Sequence, residues 1–213
     1  MFAVALSMVV GAALGLSLAA PPGPMNAVIA EESVLRGWRA GFAAGLGAMS
    51  ADACFFVLAL LGVVAVVQDA PTVRAVMVGV GGLLMCYFAY GAARGASQPL
   101  TTAGGSDGKG FRKAFALALT NPYQIIWWLT AGVGLLDPTA VHLFGHTLAS
   151  GGGPVTIVGF FGGILLWITG FPAALRAAGR KVDRFGAVVA YLSALVLAGF
   201  GLSFLWSAAT ALA

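Results

Sequence analysis

The sequence predicts an all-α integral membrane protein with six transmembrane helices, arranged as two inverted three-helix repeats. Three observations carry that expectation. First, 60% of the 213 residues are hydrophobic and only 8% are charged, against roughly 45–50% and 25% in soluble domains. Second, the uncharged runs reach the ~20 residues that a helix needs to cross ~30 Å of hydrocarbon. Third, the basic residues gather in every second loop, as they do in polytopic membrane proteins. The runs are unbroken and rich in Ala, Gly and Leu, without the two-residue alternation of a membrane β-barrel. Two cysteines and no long basic cluster exclude a disulfide scaffold and a nucleic-acid-binding domain.

The spans follow in order. The first charge-free run extends from Phe2 to Ala30, and the second starts after Arg39 and reaches Gln68, interrupted by Asp52. A third lies between Arg74 and Arg94, and a fourth between Lys113 and Asp137. Residues 138–153 read as a loop with a short amphipathic turn, leading to a fifth span near Pro154–Leu175 and a sixth from Phe185 onward. The segment Phe2–Ala20 lacks the basic flank of a signal peptide and its apolar run continues to Ala30, so it reads as a retained first helix. Small residues at four-residue spacing, Gly41 with Gly45 (and Gly47 beyond) and Gly91 with Gly95, allow close backbone approach between helices. The Gly/Ser-rich stretch 101–110 (TTAGGSDGKG) reads as a flexible cytoplasmic linker, dividing the chain into repeats 1–100 and 111–213.

Basic residues orient the bundle. Arg36 and Arg39 fall in the first loop, Arg94, Lys109, Arg112 and Lys113 in the third, and Arg176, Arg180, Lys181 and Arg184 in the fifth. The opposite side holds Arg74 alone. The positive-inside rule then places these three loops in the cytoplasm of a cell membrane protein, with both termini outside.

Three spans per half make the second half enter the membrane from the opposite side. Inverted repeats of this kind set a substrate site near the midplane, between discontinuous helices. Laying Pro24 on Pro122 aligns Gly23-Pro24-Met25-Asn26 with Asn121-Pro122-Tyr123-Gln124. Each half then carries a helix breaker followed two residues later by a side-chain amide. The last helices also share Gly-x-Gly, at Gly79/Gly81 and Gly199/Gly201. Pro22, Pro24 and Pro122 remove backbone donors, and the carbonyls they free inside hydrocarbon need protein, water or ligand as partners. A kink that only shapes packing is the plainer outcome of such prolines; their pairing with amides in both halves favours a site.

Asp52 stands 13 residues past Arg39, roughly 20 Å along a helix and so near the bilayer centre. A carboxylate there costs about 2.5–3.5 kcal/mol on insertion scales. It is expected to face the bundle interior, where it either takes up a proton beside an amide or meets a cation that arrives with substrate. Locking two helices together is the structural alternative. Tyr123 and Trp127 share a helix face, and aromatic rings there suit a substrate ammonium by cation–π contact as well as plain packing. Glu31 and Glu32 close the cytoplasmic end of the first helix near Arg36, with a cytoplasmic gate as the sharper alternative. His142 and His146 have the spacing of one helical face, but with only Asp137 nearby they read as surface histidines, and no metal site or cofactor is expected. Cys54 and Cys86 read as small buried residues. No Gly-x-Ser-Gly, intramembrane His or second intramembrane acid supports a membrane protease, so the chain is not expected to be an enzyme.

These residues resemble the lysine exporter (LysE/RhtB) family of amino-acid exporters. The resemblance rests on Pro22-Gly23-Pro24 in the first helix and on Gly47-Ala48-Met49-Ser50-Ala51-Asp52 in the second. It rests also on Phe111, Phe115, Asn121 and Pro122 in the fourth, with the size, span number and mid-chain linker fitting as well. The chain departs from the family where Tyr123 replaces a frequent Lys and where Glu31-Glu32 follow the first helix. The resemblance implies export of amino acids or related zwitterions, coupled to a proton or cation gradient. Asp52 would then bind the ammonium or the coupling proton, while Asn26, Asn121 and Gln124 present amides beside Tyr123 and Trp127. The expected partners are the small solute, the coupling ion, the bilayer and, in a homo-oligomer, a second copy. Two other functions compete: an inorganic (heavy-metal) cation exporter using Asp52 as ligand, and a membrane scaffold or assembly protein without transport.

Overall fold

The computed structural model describes residues 2–61, 70–96, 108–128, 142–143, 146–147, 153–179 and 185–212. Eight helices and one short strand pair account for them: α1 (Phe2–Ala19), α2 (Pro24–Arg36), α3 (Trp38–Leu60), α4 (Pro71–Ala96), α5 (Gly108–Leu119), α6 (Pro122–Trp127), α7 (Gly153–Gly179) and α8 (Phe185–Leu212). Four of these helices (α3, α4, α7 and α8) are long and apolar enough to span a membrane, and α1 with α2 makes a fifth if the bent pair counts as one. The expected fourth span begins as α5 and α6; residues 129–137, its remainder, lie outside the described residues, as does the linker up to 107.

The first span is broken where the prolines predicted it. Residues 20–23 leave the helix, and α2 departs from α1 at 83°. Pro24 occupies the first turn of α2, where its missing N–H is no loss and its fixed φ suits a helix start. A second break separates α5 from α6. Asn121 adopts an extended conformation, Pro122 opens α6, and the Asn121 side chain accepts a hydrogen bond from the Tyr123 N–H at 3.1 Å. Between α2 and α3, Gly37 turns the chain at φ 100°, ψ 173°, a conformation essentially confined to glycine.

Helix α4 packs along α8 and α1 along α7, while α3 packs on α5 and α2 sits against α3, α7 and α8. Small residues permit these approaches, as expected. A side chain at Gly47 would strike the Phe111 carbonyl of α5, and one at Gly45 would strike Ile168 of α7. Gly41 leaves room for Ser33, and Gly82 faces Gly201 across the α4–α8 contact. Gly91 does not belong to this set, since nothing lies within 4 Å of where its side chain would be. Its spacing matched a packing motif, but among the described residues no helix approaches it closely.

Three other expectations change. His142 and His146 do not share a helical turn. They stand on an antiparallel pair, His142–Leu143 with His146–Thr147, in which Leu143 faces His146. Cys54 is exposed on the outside of α3, and Cys86 is half-buried. In hydrocarbon an outward small apolar residue carries no penalty, so composition could not place it.

Candidate functional site

The two breaks and the intramembrane acid meet at one place. A cavity of about 390 Å³ is lined by Pro22, Gly23 and Pro24 from the first break and by Asn121, Tyr123 and Gln124 from the second. Asn26, Asp52 and Trp127 also line it, so every side chain that the sequence suggested for substrate contact reaches this wall. The rest of the lining is largely apolar: Ile29, Ile164, Ile168, Trp167 and Phe200.

Asp52 is 3% exposed. Its Oδ1 accepts hydrogen bonds from Gln124 Nε2 at 2.7 Å and from Trp128 Nε1 at 2.9 Å. Both donors come from the second break, more than 70 residues along the chain. The Ala48 and Ala51 side of α3 packs on Ala118 of α5, which holds the acid at this depth against the broken helix. The arrangement leaves the carboxyl at the cavity wall with neutral donors and no basic residue among those lining the cavity. A carboxylate in so dry a position carries its charge at least cost when an ammonium or other cation sits beside it.

Asn26 bonds to the first break and to α7. Its Nδ2 donates to the carbonyls of Ala19 at 2.7 Å and Pro21 at 2.8 Å. Its Oδ1 accepts from Trp167 Nε1 at 2.9 Å. Both amide protons are thus spent on carbonyls that the break frees, and one lone pair of the oxygen is already taken. Asn121 likewise uses its oxygen to cap α6. These two amides are hydrogen-bonded to backbone groups at the breaks. Gln124 is the amide that touches the acid.

Aromatic residues form the far wall. Trp127 stacks on Phe160 at 5.1 Å and meets Trp128 edge-on at 5.4 Å. The Tyr123 ring packs against Phe200 and Phe204 at 5.7 and 5.8 Å, although 58% of the residue is exposed. Trp128 and Trp167 are the contributors that spacing alone passed over. Trp128 follows Trp127 directly, and its value lies in a donor aimed at Asp52; Trp167 reaches the first break from α7, 141 residues away from Asn26.

Comparison with known proteins adds the family. Residues 16–208 match the LysE type translocator family. The chain belongs to that family. LysE type translocators are membrane transporters, and this one is a multi-pass membrane protein by its apolar helices. It is 30% identical over 131 residues to YcgF of Bacillus subtilis (strain 168), a protein named for amino acid efflux, covering 60% of this chain and 62% of YcgF. It is 28% identical over 125 residues to the leucine efflux protein of Salmonella typhimurium, covering 57% of this chain and 59% of that protein. The chain thus spans about three fifths of the length of these curated relatives. No solved structure matches. In this translocator both breaks, the acid and the aromatic wall lie inside the matched residues.

Proposed function

We propose that this LysE type translocator exports amino acids or similar small zwitterions from the cytoplasm, and that the cavity between the two helix breaks is the substrate site. The carrying observation is the meeting of Asp52, Gln124 and both breaks around one largely apolar chamber. Asp52 holds the ammonium or the coupling proton, Gln124 and Trp128 position its carboxyl, and the apolar wall receives an aliphatic side chain. The chamber lies within the ~300–1,000 Å³ range of small-molecule sites. The names of the relatives support amino acids as the class, and leucine as the first probe. Asp52 is the only acid among the residues lining the chamber, which suits an ammonium or a proton better than a selectively bound transition metal.

The proposal includes six spans in two inverted repeats, with both termini outside. Contact pattern supports the repeat. The second span of each half (α3, α7) packs through glycines on the first helix of the other half. Gly47 approaches the Phe111 carbonyl of α5, and Gly159 and Gly163 approach the Met8 and Ala12 carbonyls of α1. The last spans, α4 and α8, pair with each other. Exchanging the halves reproduces this pattern, and alternating access is then a rocking of one half against the other.

The test is flux. Purified protein in proteoliposomes loaded with leucine and given a pH gradient should release leucine faster than protein-free vesicles. Release at the protein-free rate for leucine and for a panel of other amino acids would refute the function.

A further inference from the structure

A second concavity, of about 580 Å³, lies at the other end of α2. Five cations line it, including Arg94, Lys109 and Arg112, together with Glu31 and Glu32. Both carboxylates are engaged: Glu32 pairs with Arg36 along α2, and Glu31 Oε2 meets Lys113 Nζ at 2.7 Å. The second pair joins the two halves of the chain, α2 to α5, and its side chains are only 8% and 12% exposed. Lys113 Nζ also stands 5.3 Å from the Phe88 ring centroid of α4, so three helices converge on this one ammonium. Gly110 lets the Glu32 side chain lie against the start of α5.

Both concavities open along α2. Ile29 lines the central chamber, and Glu32, three residues on along the same face of α2, lines the basic one together with Glu31. About 4.5 Å of helix rise separates Ile29 from Glu32. We infer that the basic concavity is the cytoplasmic mouth of the transport path, receiving the carboxylate end of the solute, and that the Glu31–Lys113 ion pair seals it from the central chamber. This rests on the exporter proposal for the direction of transport and on the basic loops for the side. A solute carboxylate arriving at the mouth competes with Glu31 for Lys113. Parting α2 from α5 at that contact is the motion that a rocking of the halves requires.

The experiment uses inside-out membrane vesicles and the full chain with Cys54→Ala and Cys86→Ala. Ala48→Cys in the chamber wall is the reporter, reacted with a membrane-impermeant methanethiosulfonate. With the ion pair intact the reporter should react slowly. Glu31→Gln and Lys113→Gln should each raise the rate about tenfold, while Lys113→Arg and the exchanged pair Glu31→Lys with Lys113→Glu should stay slow. Unchanged rates in both neutral variants would overturn the seal, as would fast reaction of the exchanged pair. A rise seen only in right-side-out vesicles would put the mouth on the other face and overturn the assignment. Where a neutral variant does not fold, the exchanged pair decides alone: slow reaction supports the seal and fast reaction refutes it. The labelling rate needs no substrate, so absence of amino-acid flux would count against the exporter function and leave this result standing.

Discussion

Replacing Asp52 by Asn separates the charge of this side chain from its place in the fold. Asn retains an oxygen where Oδ1 sits, so Gln124 and Trp128 keep their acceptor at 2.7 and 2.9 Å. Each of those bonds falls from a charge-assisted value of about 1.5–3 kcal/mol to about 1 kcal/mol. Against that loss, the variant no longer holds a carboxylate in the membrane, which relieves about 2.5–3.5 kcal/mol. The two terms oppose and nearly cancel, so stability should change by no more than about 1–2 kcal/mol. Transport should respond differently. An ammonium about 4 Å from a carboxylate is worth about 4 kcal/mol at the effective dielectric of ~20 found near protein sites. Even half of that interaction corresponds to about a 30-fold loss. We therefore expect Asp52→Asn to insert and purify normally while pH-driven leucine release from proteoliposomes falls at least ~30-fold. Release within twofold of the wild-type rate would refute the central role given to Asp52. Failure of the variant to fold would assign the residue to helix docking instead.

Three further outcomes follow from the geometry. Asn26→Leu strips partners from the Ala19 and Pro21 carbonyls and from the Trp167 N–H; at about 1–3 kcal/mol for each buried group left unpaired, the melting temperature in detergent should fall clearly and flux should be lost with it. Gly47→Leu drives a side chain into the Phe111 carbonyl, and overpacking of about 1–3 kcal/mol should lower the melting temperature, whereas Gly91→Leu, with nothing within 4 Å, should leave it unchanged. Gly37→Ala forces a side chain onto φ 100° at about 1–3 kcal/mol, which a denaturation series in mild detergent should resolve.

How much was legible in advance differs from residue to residue. Pro24 and Pro122 announced their breaks, because a missing N–H and a fixed φ act within one turn and need no distant partner. Asp52 announced its burial, because its neighbours in sequence already form a helix that hydrocarbon must surround. Asn26 and Asn121 were found without their protein partners. Nothing in their spacing says that the carbonyls of Ala19 and Pro21, or the Tyr123 N–H, would pair with them.

The class of the protein, its breaks and the acid inside α3 follow from local chemistry, since membrane partitioning and proline geometry depend on residues within a turn or a span. The identity of each partner does not. Trp128 on Asp52, Trp167 on Asn26 and Lys113 on Glu31 join residues 76, 141 and 82 positions apart. Such pairs form only once α2, α3, α5, α6 and α7 are docked, through close packing that no short stretch of sequence specifies. The site depends on those partners, because a buried acid becomes a binding group or a structural one according to what is placed beside it.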